Sequence, residues 1–162
     1  MPEVSTAAHA LARRVLLHDA GEHPEPAALA EAVERADARL RARLVDLVGL
    51  SGYTTLVDRA VRLAQTEVPV LERVTVDAGA TGGAGGAGGA GGEGILRGVR
   101  DVVESARASG GDPRAAEAGL TAILAHIIGL LVIFIGEDLA LRLVHEAWPE
   151  PAPDHVAPEG GV

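Results

Sequence analysis

Cysteine and lysine are both missing from this sequence of 162 residues. Without cysteine, the chain has no means of forming disulfides, zinc-thiolate sites or iron-sulfur clusters, and thiol catalysis is excluded. Because all 14 basic residues are arginine, a Walker-type phosphate loop, a Schiff-base amine and a Ser/Lys dyad are excluded as well. Aromatic residues make up only 2 % of the chain, so a core must be built from Leu, Val, Ile and Ala.

The charge balance is acidic, with 23 acidic against 14 basic residues and a formal net charge of -9. This sign is opposite to the one that binds phosphate backbones, so nucleic acid is not an expected partner. Hydrophobic residues make up 48 %, which excludes a wholly disordered chain, and the length suits a single domain.

The spacing of apolar residues predicts an all-α protein, a four- to five-helix bundle in one domain over residues 5–147. Short breaks rich in Gly and Pro separate the predicted helices. The last of them opens with Asp112-Pro113, an N-cap followed by a proline at the first helical position, and is long and largely apolar. The first two predicted helices cover residues 6–20 and 26–48. A third follows the break at 49–52 and ends near 68, and a fourth covers about 95–106. The fifth covers 113–147 and either kinks near Gly129 or Gly136 or projects from the bundle.

Three stretches outside these helices have distinct compositions. Residues 70–77 include a short alternating stretch compatible with a strand, but the sequence offers no second strand for it to pair with, so a loop or a helix end is predicted. The Gly/Ala-rich run over 78–94 is predicted to be a flexible internal linker, and its matches to G-x-G-x-x-G follow from composition alone. Residues 148–162 are rich in proline and acidic residues, which predicts a disordered tail.

One segment, residues 119–136, is 18 residues long and has no formal charge, the lower limit for a membrane-spanning helix. His126 lies in its middle, acidic residues follow it directly, and no Lys/Arg cluster or aromatic belt flanks it. These features favour a core helix, with a membrane segment as the alternative. Since the first residues lack the pattern of a secretory signal, we expect a cytoplasmic protein, with inner-membrane association as the alternative.

Small residues form a seam along one side of the last predicted helix, where another helix can approach closely. Because its other sides are apolar, this helix needs either the remaining helices or a second subunit to cover it, and both interpretations remain open. Beyond the seam, Asp138 and Arg142 are spaced i, i+4, and Arg142 and His145 are spaced i, i+3, which predicts a small charged network. The candidate interface comprises Ala122, Ala125, Gly129, Gly136, Ala140, Glu137, Asp138, Arg142 and His145.

His126 is the titratable residue inside the apolar run, so it must be hydrogen-bonded, displaced toward solvent or held neutral. Its neighbourhood, AHIIG over residues 125–129, resembles that of the phospho-accepting histidine in histidine phosphotransfer domains, which also lies on a bundle helix. The resemblance covers a handful of residues and implies phosphotransfer through His126. That family places a basic residue just after its histidine and this sequence has none. A core histidine bonded to a backbone carbonyl or a buried side chain is the favoured interpretation.

Three arginines recur every four residues on the second predicted helix, where an acidic partner or a phosphate group could bind them. Acidic residues accompany them: Glu31 precedes Arg35 by four positions and Asp37 precedes Arg41 by four, the pattern typical of a solvated helix face. The three arginines are Arg35, Arg39 and Arg43.

No sequence motif supplies a catalytic or a metal site, since Glu-x-x-His, H-E-x-x-H and G-x-S-x-G are all missing. We therefore expect a non-enzymatic helical interaction or regulatory module, an accessory subunit or a self-associating adaptor acting through helix-helix contacts, with no cofactor and no metal. The expected partner is a protein, either a second copy or an unknown one. A membrane-associated protein inserted through 119–136 is the alternative, and phosphotransfer through His126 or an enzyme built from dispersed residues also stays open.

Overall fold

The structure, a computed structural model of the chain, describes residues 5–21, 25–77 and 95–148. Within these residues the chain folds as an all-α bundle of five helices, which confirms the predicted fold class. The linker predicted over 78–94 and residues 149–162 of the predicted tail lie outside the described residues. The helices are α1 (Thr6–Ala20), α2 (Pro26–Glu67), α3 (Val99–Ala108), α4 (Pro113–Ile135) and α5 (Glu137–Ala147).

Helix α1 begins and ends at the positions that the sequence indicates. The side-chain oxygen of Ser5 accepts the backbone N–H of Ala8 at 3.1 Å, which satisfies one of the amides that the first turn leaves without a helical partner. The helix ends at Gly21, whose N–H donates to the carbonyl of Leu17 at 2.8 Å. Helix α1 packs against both α2 and α4.

Helix α2 consists of two arms separated by Gly49, whose φ of 76° and ψ of 163° interrupt the helical backbone. The break falls in the stretch 49–52 where the sequence predicts a connection between two helices. Both arms bury apolar residues at helical spacing, so each contributes a face to the core. Among these buried residues are Leu29, Val33, Leu40, Leu44, Val57, Val61 and Ala64.

The structure has a short pair of strands that the sequence did not predict. After a 3-10 turn over Pro69–Arg73, strand β1 (Thr75–Val76) pairs antiparallel with strand β2 (Leu96–Arg97). The stretch 70–77 therefore does have a partner, and the helix predicted from residue 95 begins at Val99 instead. The alternation in 70–77 was compatible with a strand, but the partner at Leu96–Arg97 is too short to show such a pattern, so the sequence does not indicate the pairing.

Gly98 explains why the chain turns between β2 and α3. A Cβ atom at this position would lie 2.2 Å from the main-chain oxygen of Arg73, and its φ is +81°, a conformation that side chains other than glycine rarely adopt. The close approach of Gly98 and Arg73 joins the end of the 3-10 turn to the start of α3. This contact lies next to the end of the strand pair where Thr75 is opposite Arg97.

Helix α4 is the centre of the bundle, since α1, α2, α3 and α5 all pack against it. The long helix predicted over 113–147 breaks at Gly136, with φ of 89°, and α5 packs against α4 and α2. Arg114–Ile135 is long and apolar enough to cross a membrane; its most apolar stretch of 18 residues has a mean hydropathy of 2.5 and is 67 % buried inside the protein. Length and composition fit a core helix and a membrane span equally.

Trp148, the first residue of the predicted tail, is buried and belongs to the bundle. Its indole N–H donates to Oδ2 of Asp19 at 3.3 Å, and the guanidinium of Arg39 lies 5.6 Å from the centre of its rings. Arg39 also donates to both carboxylate oxygens of Asp19, at 3.3 and 3.2 Å. This cluster ties the end of α5 to α1 and α2.

Candidate functional site

The small-residue seam is largely covered by the chain's own helices. Ala122, Ala125 and Ala140 are buried, and Gly129 is half-buried within α4. Ala122 lies where α1, α2 and α4 meet. These alanines therefore have no surface to offer a second subunit, and the close helix approach that the small side chains allow is used inside the bundle.

The remaining members of the candidate interface are exposed on α5 and at the corner that precedes it. Gly136, Glu137, Asp138, Arg142 and His145 all lie at the surface. Asp138, Arg142 and His145 point away from the face that α5 buries, because they lie about 180° around the helix from Ala140 and Ala147. The contacts of the described residues do not include the predicted ion pairs among these three. Their charges are thus available to another molecule.

Large apolar side chains next to this surface were not singled out by the sequence. Ile133 and Phe134, in the last turn of α4, are 65 % and 68 % exposed, and Leu139 at the start of α5 is 39 % exposed. Most other large apolar residues described are buried or half-buried. The sequence identifies an apolar helix here, yet which side of it stays uncovered depends on where α5 turns back at Gly136.

His126 is buried, as predicted, but its partner is neither a backbone carbonyl nor a buried side chain. Its ring is 3 % exposed, and Nε2 donates to Oε1 of Glu67 at 2.9 Å. The partner is a carboxylate on the last turn of α2 whose side chain is half exposed. Nε2 of His126 therefore has a partner, and the whole side chain, including Nδ1, is almost inaccessible to solvent.

Asp37 is the residue that the sequence places wrongly. Asp37 does not lie on a solvated face: it is fully buried, and its Oδ2 accepts the backbone N–H groups of Ile95 and Leu96. Its Oδ1 lies 2.5 Å from the hydroxyl of Tyr53, which also lies 2.9 Å from the main-chain oxygen of Asp37. The carboxyl of Asp37 thus fastens strand β2 to the first arm of α2.

The pKa values of this cluster follow from its burial. Burial raises the pKa of Asp37, although the hydrogen bonds from Tyr53 and the two amides, together with the charge of Arg41, act in the opposite direction. Burial also raises the pKa of Tyr53 well above its usual value, and the neighbouring Asp37 adds to this effect. The cluster is a closed polar contact between segments of the chain, and its hydrogen-bonding groups are directed at one another.

The arginines of α2 bind within the chain. Arg43 pairs with Glu146 of α5 at 3.8 Å, and Arg35 pairs with Glu31 at 3.6 Å, the i, i+4 contact that the sequence predicts. With Arg39 on Asp19, this row connects α2 to both α1 and α5. Among residues 5–21, 25–77 and 95–148, the structure has no group of three or more His, Asp or Glu that could hold a metal ion.

The comparisons with known proteins give no match: no family model, no curated protein and no solved structure is similar to this chain.

Proposed function

We propose that this protein is a non-enzymatic interaction module that associates with a second copy of itself through the corner between α4 and α5. The observation that carries the proposal is the two-thirds exposure of Ile133 and Phe134 in a bundle that otherwise covers most of its large apolar side chains. Contiguous apolar surface of this kind is typical of protein-protein contacts. Phe134 is the anchor, since aromatic side chains dominate the energetics of interfaces.

The charges on α5 support a second copy as the partner. Asp138 and Arg142 lie on one exposed face, one turn apart, and neither pairs inside the described part of the chain. When two α5 helices pack antiparallel across a two-fold axis, Asp138 of each copy faces Arg142 of the other. A two-fold interface must be self-complementary in this way. The apolar residues supply most of the affinity and the charge pairs set the register.

The same corner is poorly suited to an anionic membrane surface. Glu137 and Asp138 directly follow the exposed apolar turn, and the chain carries a net charge of -9 without a lysine. Membrane surfaces attract clusters of Lys and Arg instead. The charge pattern therefore favours a protein partner over the membrane alternative.

Light scattering coupled to size-exclusion chromatography of the full chain tests the proposal. We expect a particle of twice 16.5 kDa that dissociates in Phe134→Ser, with dimer affinity lowered by at least about 100-fold because both copies lose the anchor. Arg107→Ser, a change of an exposed residue on α3, is the control and should stay dimeric. A wild-type monomer at all concentrations, or a dimer insensitive to Phe134→Ser, contradicts the proposal. Recovery of the wild-type chain on floated lipid vesicles would instead support the membrane alternative.

A charge exchange tests the antiparallel register separately. Asp138→Arg places arginine against Arg142 of the other copy, and Arg142→Asp places aspartate against Asp138, so each variant alone should dimerise about tenfold more weakly. Mixing the two variants restores opposite charges at both contacts, and we expect a heterodimer of wild-type affinity. If the mixture associates no better than either variant, the register is wrong even though Phe134 contributes to a dimer.

A further inference from the structure

A single residue, Gly136, connects α4 to α5. Its φ of 89° and ψ of 155° lie in a region of backbone conformation that essentially only glycine adopts. A Cβ atom at Gly136 would have no atom within 4 Å apart from its chain neighbours, so no other segment packs closely against this residue. The corner between α4 and α5 is therefore determined by two dihedral angles of one glycine and by the packing of α5 farther along.

Hydrogen bonds of the kind found in a continuous helix are present on both sides of the corner. The N–H of Gly136 donates to the carbonyl of Val132 at 3.0 Å, and the carbonyl of Gly136 accepts the N–H of Ala140 at 3.0 Å. Both bonds span four residues, as in an α-helix. Helix α5 has no side-chain cap, so the amides of its first turn have no helical partner. Helical values of φ and ψ at Gly136 would join α4 and α5 into one helix over 113–147 and give these amides the last carbonyls of α4 as acceptors.

Two features of the sequence favour the corner over the continuous helix. Glu137 and Asp138 lie in the first turn of α5, where negative charge interacts favourably with the N-terminus of a helix. A glycine inside a helix is unfavourable, because it loses more conformational freedom than any other residue. The balance between the corner and the continuous helix is thus set locally, and a substitution at residue 136 can shift it.

The contacts described for α5 are with α1, α2 and α4. Glu146 pairs with Arg43 of α2 at 3.8 Å, and Trp148, directly after α5, donates to Asp19 of α1 at 3.3 Å. An α5 that belongs to another copy of the chain carries the same side chains, so it can form each of these contacts on an unchanged set of helices. The residues that α5 buries are Ala140, Leu143, Val144 and Ala147.

Three exposed large apolar side chains flank Gly136: Ile133 and Phe134 precede it, and Leu139 follows it. If two copies exchange α5, Glu137 of one copy lies where α5 of the other copy would begin, next to that copy's α4. Because a single residue connects the two helices, the two Gly136 corners must then lie side by side at the two-fold axis. The exchange therefore brings the exposed apolar residues of both copies together and removes them from water.

We propose that Gly136 is a hinge through which two copies of this protein exchange α5. In the exchanged pair, α4 and α5 of each copy form one helix, and α5 packs on α2 and α4 of the other copy. This association goes beyond the proposed surface dimer, in which each α5 stays in its own bundle. The buried face of α5, and not Phe134, is what holds the exchanged pair together.

Cross-linking of the full chain detects the exchange, since the chain has no cysteine of its own. Arg43→Cys combined with Glu146→Cys places two thiols where α2 meets α5, and a short bismaleimide reagent joins them. An α5 in its own bundle gives an internal link, whereas an exchanged α5 gives a covalent dimer on a denaturing gel. After refolding from urea, the share of covalent dimer should rise with protein concentration. Internal links alone at every concentration would overturn the proposal.

Gly136→Ala in this double-cysteine chain tests the hinge itself. Alanine strains the corner and is favourable in a continuous helix, so the share of covalent dimer should rise at least about tenfold. Gly21→Ala is the matched control, because Gly21 has a similar φ of 94° and ψ of 169° and equally open surroundings but does not adjoin α5. It should leave the share of covalent dimer unchanged. An equal rise in both variants would reflect general destabilisation and would overturn the proposal.

Phe134→Ser separates the exchange from the surface dimer. When it is added to Gly136→Ala, the covalent dimer should persist, because the buried face of α5 is unchanged. Loss of the covalent dimer on adding Phe134→Ser would assign the association to the exposed corner and overturn the exchange. A failure of the unmodified chain to form the surface dimer would not alter these results, so the two proposals fail independently.

Discussion

Replacing Asp37 by alanine removes the acceptor for two buried backbone amides. The N–H groups of Ile95 and Leu96 lie 2.5 and 2.9 Å from Oδ2 of Asp37, and each buried amide left unpaired costs about 1–3 kcal/mol. Tyr53 keeps an acceptor, because its hydroxyl also lies 2.9 Å from the main-chain oxygen of residue 37. Removing the carboxyl recovers part of the free energy spent on burying it. We therefore expect the free energy of unfolding to fall by about 3 kcal/mol.

Asp37→Asn separates the hydrogen bonds from the charge. The side-chain oxygen of asparagine accepts both amides, and its NH2 group donates to the hydroxyl oxygen of Tyr53, whose proton then goes to the main-chain carbonyl. All the partners stay paired, so we expect a stability within about 1 kcal/mol of the parent protein at pH 7. Urea denaturation followed by far-UV circular dichroism measures both variants, with an unchanged m-value as the check on two-state unfolding.

The difference in stability between the parent protein and Asp37→Asn should change with pH in one direction. Because burial raises the pKa of Asp37 above its value in the unfolded chain, the contribution of this group to stability is fully present below the unfolded pKa. It is lost as the pH rises through the folded pKa. The parent protein should therefore gain stability relative to Asp37→Asn as the pH falls from 7 toward 4.

The alanine variant provides the control: it also lacks the carboxyl of Asp37, so the parent protein should gain stability over Asp37→Ala and over Asp37→Asn by the same amount as the pH falls. An equal loss of stability in Asp37→Asn and Asp37→Ala, or a difference between the parent and Asp37→Asn that is the same at every pH, would contradict these roles of the Asp37 carboxyl.

Two glycines with positive φ should respond differently to alanine. Gly98→Ala should lower the free energy of unfolding by about 3 kcal/mol or more, because its Cβ would lie 2.2 Å from the main-chain oxygen of Arg73. A loss below about 1 kcal/mol in urea denaturation would show that the backbone moves apart at little cost. Gly49→Ala has no atom within 4 Å of the added Cβ, so only the strain of its φ of 76° and ψ of 163° acts, and the loss should be about 1–2 kcal/mol. A loss as large as that of Gly98→Ala in the same assay would contradict this.

The helices were predictable because their signals are local. The Gly49 break in α2 and the Asp112-Pro113 start of α4 each act within a few residues of the backbone that they control. Gly136 is a local signal as well: it was one of the two predicted kink positions, and α4 ends there. At Gly129, the other predicted kink position, α4 continues without a break.

The long-range contacts were not predictable for a physical reason. Asp37 and Glu31 both have an arginine four residues later, yet one is buried against strand β2 and the other stays at the surface. What distinguishes them is the position of Ile95 and Leu96, 58 and 59 residues farther along the chain. The same limit applies to the exposed apolar corner, where exposure depends on the packing of α5 and not on the residues themselves.

The contact between Asp19 and Trp148 has a consequence for how the chain is made. These residues are 129 positions apart, and at about 5–20 residues per second their synthesis is separated by about 6–26 s. Helix α1 is synthesised before the other helices. Because it packs on α4, it is among the last elements to complete its packing. On the ribosome, the apolar face of α1 is therefore a nascent surface that chaperones and proteases can reach until the C-terminal helices emerge.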